Sequence, residues 1–210
     1  MIQVFQNGIM DVNTYIISND QDLIVIDPGQ ELDEVIQVID HMSLHFVGIL
    51  ITHGHFDHIA GIDELVERYH VPVYTSLRTK IIIQNTELNL SDAFSIPFIP
   101  EANLEEATPH MTLGSFEIDV INVPGHTFGD VAFYFKDHNA LFTGDAIFKG
   151  GVGRYDFPTS SLGFLRQSIR KLRDLPFDVN IYPGHGEMTS LDYEREHNYF
   201  IKTVDKDLYD

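Results

Sequence analysis

The run His53-Gly54-His55-Phe56-Asp57-His58 gathers three imidazoles and a carboxylate in one short stretch. Imidazole nitrogens and carboxylate oxygens without thiolates suit Zn²⁺, Mn²⁺ or Fe²⁺. His53 and His55, two apart on an extended segment or tight turn, can point at one ion. Asp57 and His58 lie just beyond and can turn to a second. The chain has no cysteine, so disulfides and thiolate metal sites are both excluded, and a reducing compartment fits.

The same residue types recur in one setting, where an apolar strand-like run ends and a glycine-containing turn presents a candidate ligand. Leu23 to Ile26 leads to Asp27-Pro28-Gly29, and Val47 to Thr52 leads to His53. Ile118 to Val123 leads to Pro124-Gly125-His126, Ala140 to Thr143 to Gly144-Asp145, and Val179 to Tyr182 to Pro183-Gly184-His185. Strands place side chains rigidly, glycine lets the backbone come close, and strand ends in α/β sheets converge on one crevice. His53, His55, His58, His126 and His185 share this setting with Asp57 and Asp145. His41, His45, His70, His110, His138 and His197 do not, and read as solvated or hydrogen-bonded side chains. Asp27 has two readings, a carboxylate that holds a ligand-bearing loop from behind or an ordinary Asp-Pro-Gly turn residue.

The elements that must position these residues are legible from periodicity. Alternation predicts strands over 2–5, 14–18 and 23–27, and a near-continuous apolar run predicts a doubly buried strand over 46–52. Further strands are expected at 71–74, 115–123, 131–135, 140–143 and 179–182, and an extended stretch at 95–100. Helical spacing marks 31–42, 59–69, 77–83, 160–172 and 191–204. Strands and helices mixed over the whole length predict a layered α/β fold, with two sheets flanked by helices.

At 210 residues the chain is expected to form a single domain over 1–210. Its formal charge of −19 argues against nucleic acid as a partner, since a phosphate backbone is met by clustered Lys and Arg. No basic and apolar leader opens the sequence, and no run approaches the roughly 18 apolar residues that span a bilayer. The expectation is a soluble cytoplasmic protein without a membrane partner; the sequence assigns no oligomeric state.

With these residues in place, the chain resembles the metallo-β-lactamase superfamily, and within it the glyoxalase II (hydroxyacylglutathione hydrolase) branch in a short, single-domain form. The resemblance runs through Asp27-Pro-Gly, Thr52-His-Gly-His-Phe-Asp-His-Ile-Ala-Gly61, Pro124-Gly-His-Thr127, Thr143-Gly-Asp145, Gly153-Arg-Tyr-Asp156 and Pro183-Gly-His-Gly186. It implies a four-layer αβ/βα sandwich and two divalent metal ions, zinc first, with iron or manganese as alternatives. One ion is implied on His53, His55 and His126, the other on Asp57, His58 and His185, with Asp145 bridging. The implied reaction is hydrolysis of a small-molecule acyl thioester by a metal-activated hydroxide, with Asp57 as a catalytic residue that accepts a hydrogen bond from the attacking group.

Departures bear on substrate. Full-length glyoxalase II carries a C-terminal helical domain that supplies much of its thiol site, and this domain is not expected here. Where the family usually continues Asn-Pro, this sequence has Asn198-Tyr199. Lys149, Arg154 and Tyr155 follow Asp145 closely and are candidates to line the substrate entrance. Lys149 reads equally as an exposed lysine, and Arg154 equally as the partner of Asp156. Arg166, Arg170 and Arg173 fall at helical spacing and read as a solvated face. Three other functions stay open: a persulfide dioxygenase-like enzyme with a single iron on His53, His126 and Asp145, a lactonase or β-lactamase-type hydrolase, and a non-catalytic metal-binding module.

Overall fold

The computed structural model of the chain describes residues 1–206. Six strands form the first sheet, side by side in chain order: β1 (Ile2–Asn7), β2 (Val12–Ser18), β3 (Asp22–Ile26), β4 (His45–Leu50), β5 (Val73–Thr75) and β6 (Leu104–Glu106). The first three pair antiparallel, and β3 to β6 run parallel. The connections between parallel strands carry α1 (Asp33–His41), α2 (Phe56–Ile59), α3 (Ile62–Tyr69) and α4 (Leu77–Ile83). The second half supplies β7 (His110–Leu113), β8 (Phe116–Asn122), β9 (Val131–Phe135), β10 (Ala140–Gly144), a small hairpin of β11 (Ile147–Phe148) and β12 (Gly151–Val152), then β13 (Asn180–Pro183) and β14 (Thr189–Ser190). Its sheet has the order β14-β13-β10-β9-β8-β7, parallel only between β10 and β13. Helices α5 (Leu162–Arg173), α6 (Leu191–His197) and α7 (Tyr199–Thr203) cover it.

Period-two alternation explains the layers. Ile16, Val25, Ile49 and Ile51 point outward onto Val35 and Ile39 of α1 and Ile62 and Leu65 of α3. Their neighbours Ile17, Ile24, Ile26 and Leu50 point inward, onto Phe133, Phe135 and Phe142 of the second sheet. That sheet turns Ala132, Leu141 and Ile181 to its own helices, where Leu165, Ile169, Leu172, Leu191 and Ile201 meet them. Strands β2 and β3 are buried along their whole length, and the polar residues they carry, such as Thr14 and Asp22, are hydrogen-bonded. The result is the expected four-layer αβ/βα sandwich.

Several predicted elements shift, each for a local reason. The helix expected from Glu31 begins at Asp33, because Glu31 has φ 62° and Leu32 occupies the cap position. The helix expected over 59–69 is two helices, α2 and α3, parted at Gly61, where a side chain would run into the carbonyl of Gly29. The helix expected over 191–204 breaks at Asn198, whose backbone is extended (φ −74°, ψ 114°). Its side-chain oxygen accepts from the backbone N–H of Phe200 (3.0 Å) and Ile201 (3.3 Å), capping α7, while its Nδ2 donates to Gly151 O and Glu194 Oε2. The buried positions Leu191, Glu194, Asn198, Ile201 and Val204 keep helical spacing through the break, so spacing could not reveal it. Arg170 and Arg173 are not a free solvated face: both pair with Asp205, at 2.8 and 2.5 Å, and Arg166 donates to Lys206 O.

Tyr199 occupies the first position of α7, is 77% exposed, and follows a residue already extended, which is the setting proline prefers. Tyr199→Pro is therefore expected to leave stability unchanged or raise it by about 0.5 kcal/mol in urea unfolding. A continuous helix would instead lose roughly 3 kcal/mol.

Candidate metal centre

Each candidate ligand follows a strand. Asp27 comes directly after β3, His53 to His58 follow β4 and run into α2, His126 follows β8, Asp145 follows β10, and His185 follows β13. Asp27 sits with φ 50° beneath the cluster. Its Oδ1 accepts from Thr52 N (2.8 Å), and its Oδ2 accepts from Thr52 Oγ1 (2.6 Å) and lies 2.9 Å from Nδ1 of His58. With Nδ1 engaged there, His58 presents Nε2 to the centre. Asp27 thus holds the ligand-bearing loop from behind.

Two groups of donor atoms converge. In the first, His55 Nδ1 lies 3.2 Å from His53 Nε2 and 2.9 Å from His126 Nε2. In the second, His185 Nε2 lies 3.4 Å from His58 Nε2 and 3.2 Å from Asp57 Oδ2. Asp145 stands between them, with Oδ1 3.5 Å from His58 Nε2 and Oδ2 3.4 Å from His126 Nε2. Its Oδ1 is buried without a hydrogen-bond partner. Neutral imidazoles meeting at such distances cannot all donate to one another, and an orphaned buried carboxylate oxygen is costly. A cation within each group satisfies both conditions, and a nitrogen-and-oxygen donor set fits divalent zinc, iron or manganese.

The electrostatics divide the two groups. Burial pushes the imidazoles of His53 and His126 below their ordinary value and that of His55 down to about 3, so all three are neutral at pH 7 with lone pairs available. Burial also opposes a charge on His58, but the carboxylates of Asp57 and Asp27 outweigh it and hold its imidazole well above the usual range. His185 is raised against its burial by Asp57 and Asp145. Burial works against ionising Asp57 and Asp145 too, yet the surrounding histidines keep both carboxyls low. The second group therefore carries protons that an ion must displace.

Neighbouring contacts fix the rings. His126 Nδ1 lies 2.8 Å from Arg154 O. The turn beyond it closes on Asp130, whose carboxylate accepts from the backbone N–H and the hydroxyl of Thr127, and burial pushes its carboxyl up to about 8. Phe157 lies edge-on to the rings of His55 and His126, at 5.3 and 5.7 Å. His185 is held from the other sheet: Val12 forms a β-bridge with it, Asn13 N donates to Gly184 O (2.7 Å), and Asn13 Nδ2 donates to Pro183 O and Gly186 O. Asp130, Phe157 and Asn13 escaped sequence reasoning, because Asp130 precedes a strand instead of following one and the other two are not ligand residue types.

A cavity of about 520 Å³ opens onto His55, Asp57, His126, Asp145 and His185. Of the three candidates for its entrance, only Arg154 lines it. The Arg154 guanidinium also pairs with Asp156 (2.9 and 3.0 Å) and stacks on Phe157 at 4.4 Å, so the ion-pair reading of this residue describes a real contact. Lys149 pairs with Glu187 at 2.5 Å and lines a separate depression with Tyr15 and Tyr182. Tyr155 is 46% exposed beside Phe200 and is not among the lining residues. No helix among the described residues is long and apolar enough to cross a membrane.

Comparisons agree with this architecture. The model of the metallo-β-lactamase superfamily matches residues 7–185, and the chain belongs to that superfamily. A "probable metallo-hydrolase" of Streptococcus pyogenes is 37% identical over 203 residues, 93% of this chain and 88% of that one. The hydroxyacylglutathione hydrolase GloC of Haemophilus influenzae is 32% identical over 85% of this chain and 87% of its own. Among solved structures, the BLEG-1 B3 metallo-β-lactamase superposes with a TM-score of 0.90 at 30% identity (96% and 99% covered). TTHA1623 in a di-iron-bound form does so at 0.85 and 31% (94% and 99% covered).

Two outcomes follow from this geometry. Asp27→Asn, which keeps the shape but weakens the grip on His58, should lower affinity for the second ion by about 10–100-fold in a chelator competition. Because His58 and His185 are raised, metal uptake near neutral pH should release protons and weaken as pH falls. Calorimetry in buffers of differing ionisation heat reads this directly, and zero net release would contradict it.

Proposed function

We propose that this member of the metallo-β-lactamase superfamily is a dinuclear metal-dependent hydrolase that cleaves acyl thioesters of a low-molecular-weight thiol. The carrying observation is the full double set of donors, five of which line one cavity. The likeness to the H. influenzae hydroxyacylglutathione hydrolase supports a thioester as the bond attacked. Ions held by His53, His55 and His126 and by Asp57, His58 and His185, with Asp145 between, would supply Lewis acidity and an activated water. Zinc is the first choice, and the di-iron neighbour supports iron as the alternative.

The chain's own residues supply the rest. Asp57 lines the cavity and is the proposed acceptor for the hydrogen bond of the attacking water. His53, His55 and His126 stay neutral through burial and so do not compete for the proton released. Phe157 shields the first histidine group from bulk water on the side of the Arg154 loop. No lysine or tyrosine lines the cavity among the described residues. That suits a thiolate leaving group: with a pKa near 8.5 it departs without a proton from a general acid.

A lactam or lactone hydrolase is the second reading, favoured by the BLEG-1 likeness. It keeps the same attack and changes only the bond. Metal-loaded protein is expected to hydrolyse S-acyl thioesters, with kcat/KM falling about 1,000-fold or more in His55→Ala. Turnover of lactones or β-lactams with no thioester cleaved would overturn the first reading in favour of the second.

A further inference from the structure

Beyond the ligands, the cavity wall is apolar and drawn from three distant segments. Met10 comes from the β1–β2 turn, Leu90, Ala93 and Phe94 from the loop after α4, and Phe148 from β11. The loop after α4 is not loosely placed. Asn89 is fully buried, its Nδ2 donates to Ile83 O (3.0 Å) and Phe98 O (2.9 Å), and its carbonyl accepts from Phe56 N at 2.7 Å. Phe94 lies 6.1 Å from the buried ring of Phe56, and Phe148 lies 6.2 Å from the ring of His185. The Leu90–Phe94 part of the wall is therefore clamped to the same segment that carries His55 and Asp57. Yet Phe94 remains 36% exposed, and Met10 is exposed as well, so apolar surface stands open beside a polar floor. Such a surface is the signature of a ligand-binding wall.

The charge pattern is equally specific. Arg154 is the one cation among the described lining residues, apart from the histidines, and Asp156 and Phe157 already engage it. Away from the donor cluster, no free lysine or arginine lines the cavity to receive a carboxylate or phosphate. A chain of formal charge −19 also repels polyanions at longer range.

We infer that this cavity selects its substrates by an uncharged hydrocarbon arm seated on Met10, Leu90, Phe94 and Phe148, and not by the carboxylates of a charged thiol such as glutathione. The inference deepens the thioester reading and rests on it for the bond cleaved. The arm belongs to either the acyl group or the thiol, and the shared chemistry is the same.

The test compares S-acetyl, S-butanoyl and S-hexanoyl esters of neutral N-acetylcysteamine with the same acyl groups on glutathione, and adds acetyl esters of ethanethiol and benzyl mercaptan. In whichever series carries the arm, kcat/KM should rise about fourfold per methylene until the cavity fills. A gradient in the acyl series places the arm on the acyl group, and one in the thiol series places it on the thiol. Neutral esters should exceed glutathione esters of the same acyl group by tenfold or more. Phe94→Ala should cut the ratio of long-arm to short-arm kcat/KM by about tenfold, at metal content equal to the parent protein. A flat response in both series, or a preference for glutathione, overturns the inference. Calorimetric binding of butanoate, hexanoate and phenylacetate to the metal-loaded protein separates the two readings. If no thioester is cleaved but affinity grows with arm length and drops in Phe94→Ala, the thioester reading fails and the apolar wall stands. If affinity is flat as well, both fail.

Discussion

Lone pairs that repel one another must be brought within about 3 Å and kept there. His55 Nδ1 faces His53 Nε2 and His126 Nε2, three buried imidazoles that burial keeps neutral. Nothing among these atoms holds them together before an ion arrives, so the surrounding protein must impose the arrangement from behind. It does so through the atoms that face away from the centre. Asp27 and Thr52 secure His58 and the start of the motif, and Arg154 O secures His126. Local destabilisation of this kind is repaid on metal binding, which couples the ion's affinity to the integrity of the supporting contacts.

The larger fold serves the same constraint. The first sheet delivers the histidine run and Asp27, and the second delivers His126, Asp145 and His185. Neither sheet has a complete ion site. Their separation is set by the inward aliphatics of β2 to β4 against Phe133, Phe135 and Phe142, with Tyr15 edge-on to Phe142 at 5.1 Å. Interiors packed this tightly tolerate little change in volume. The distance between the two donor groups thus depends on an aromatic layer that contains no ligand.

Much of this was legible in the sequence. Alternating apolar runs ending at Gly-framed His and Asp residues reveal both the sheets and their functional edge, because strand period and turn chemistry are local properties. The breaks at Gly61 and Asn198 were not legible, since a close backbone approach and a side-chain cap leave the helical spacing of the buried positions intact. The two- and three-residue strands β6, β11 and β14 carry too few positions to show any period. Nearness in sequence also misleads: Lys149 and Tyr155 follow Asp145 closely, but the β11–β12 hairpin and the loop after it direct them elsewhere. The wall formed by Met10, Phe94 and Phe148 exists only after three segments meet, and single apolar residues in loops give no hint of it.

The seam between Val12, Asn13 and the turn that bears His185 has a consequence in time. Asn13 Nδ2 and Gly186 O are joined across 173 positions of chain, so this is among the most non-local closures in the molecule. Contacts of such separation form late, because the entropy of closing the intervening loop must be met before any reward is collected. During synthesis the histidine run emerges long before its distant partners, and it passes through a stage as an open, half-built chelator. Only when the β13 turn locks onto β2 does His185 join Asp57 and His58. An ion held by those three residues would therefore mark a chain whose two halves have closed upon each other.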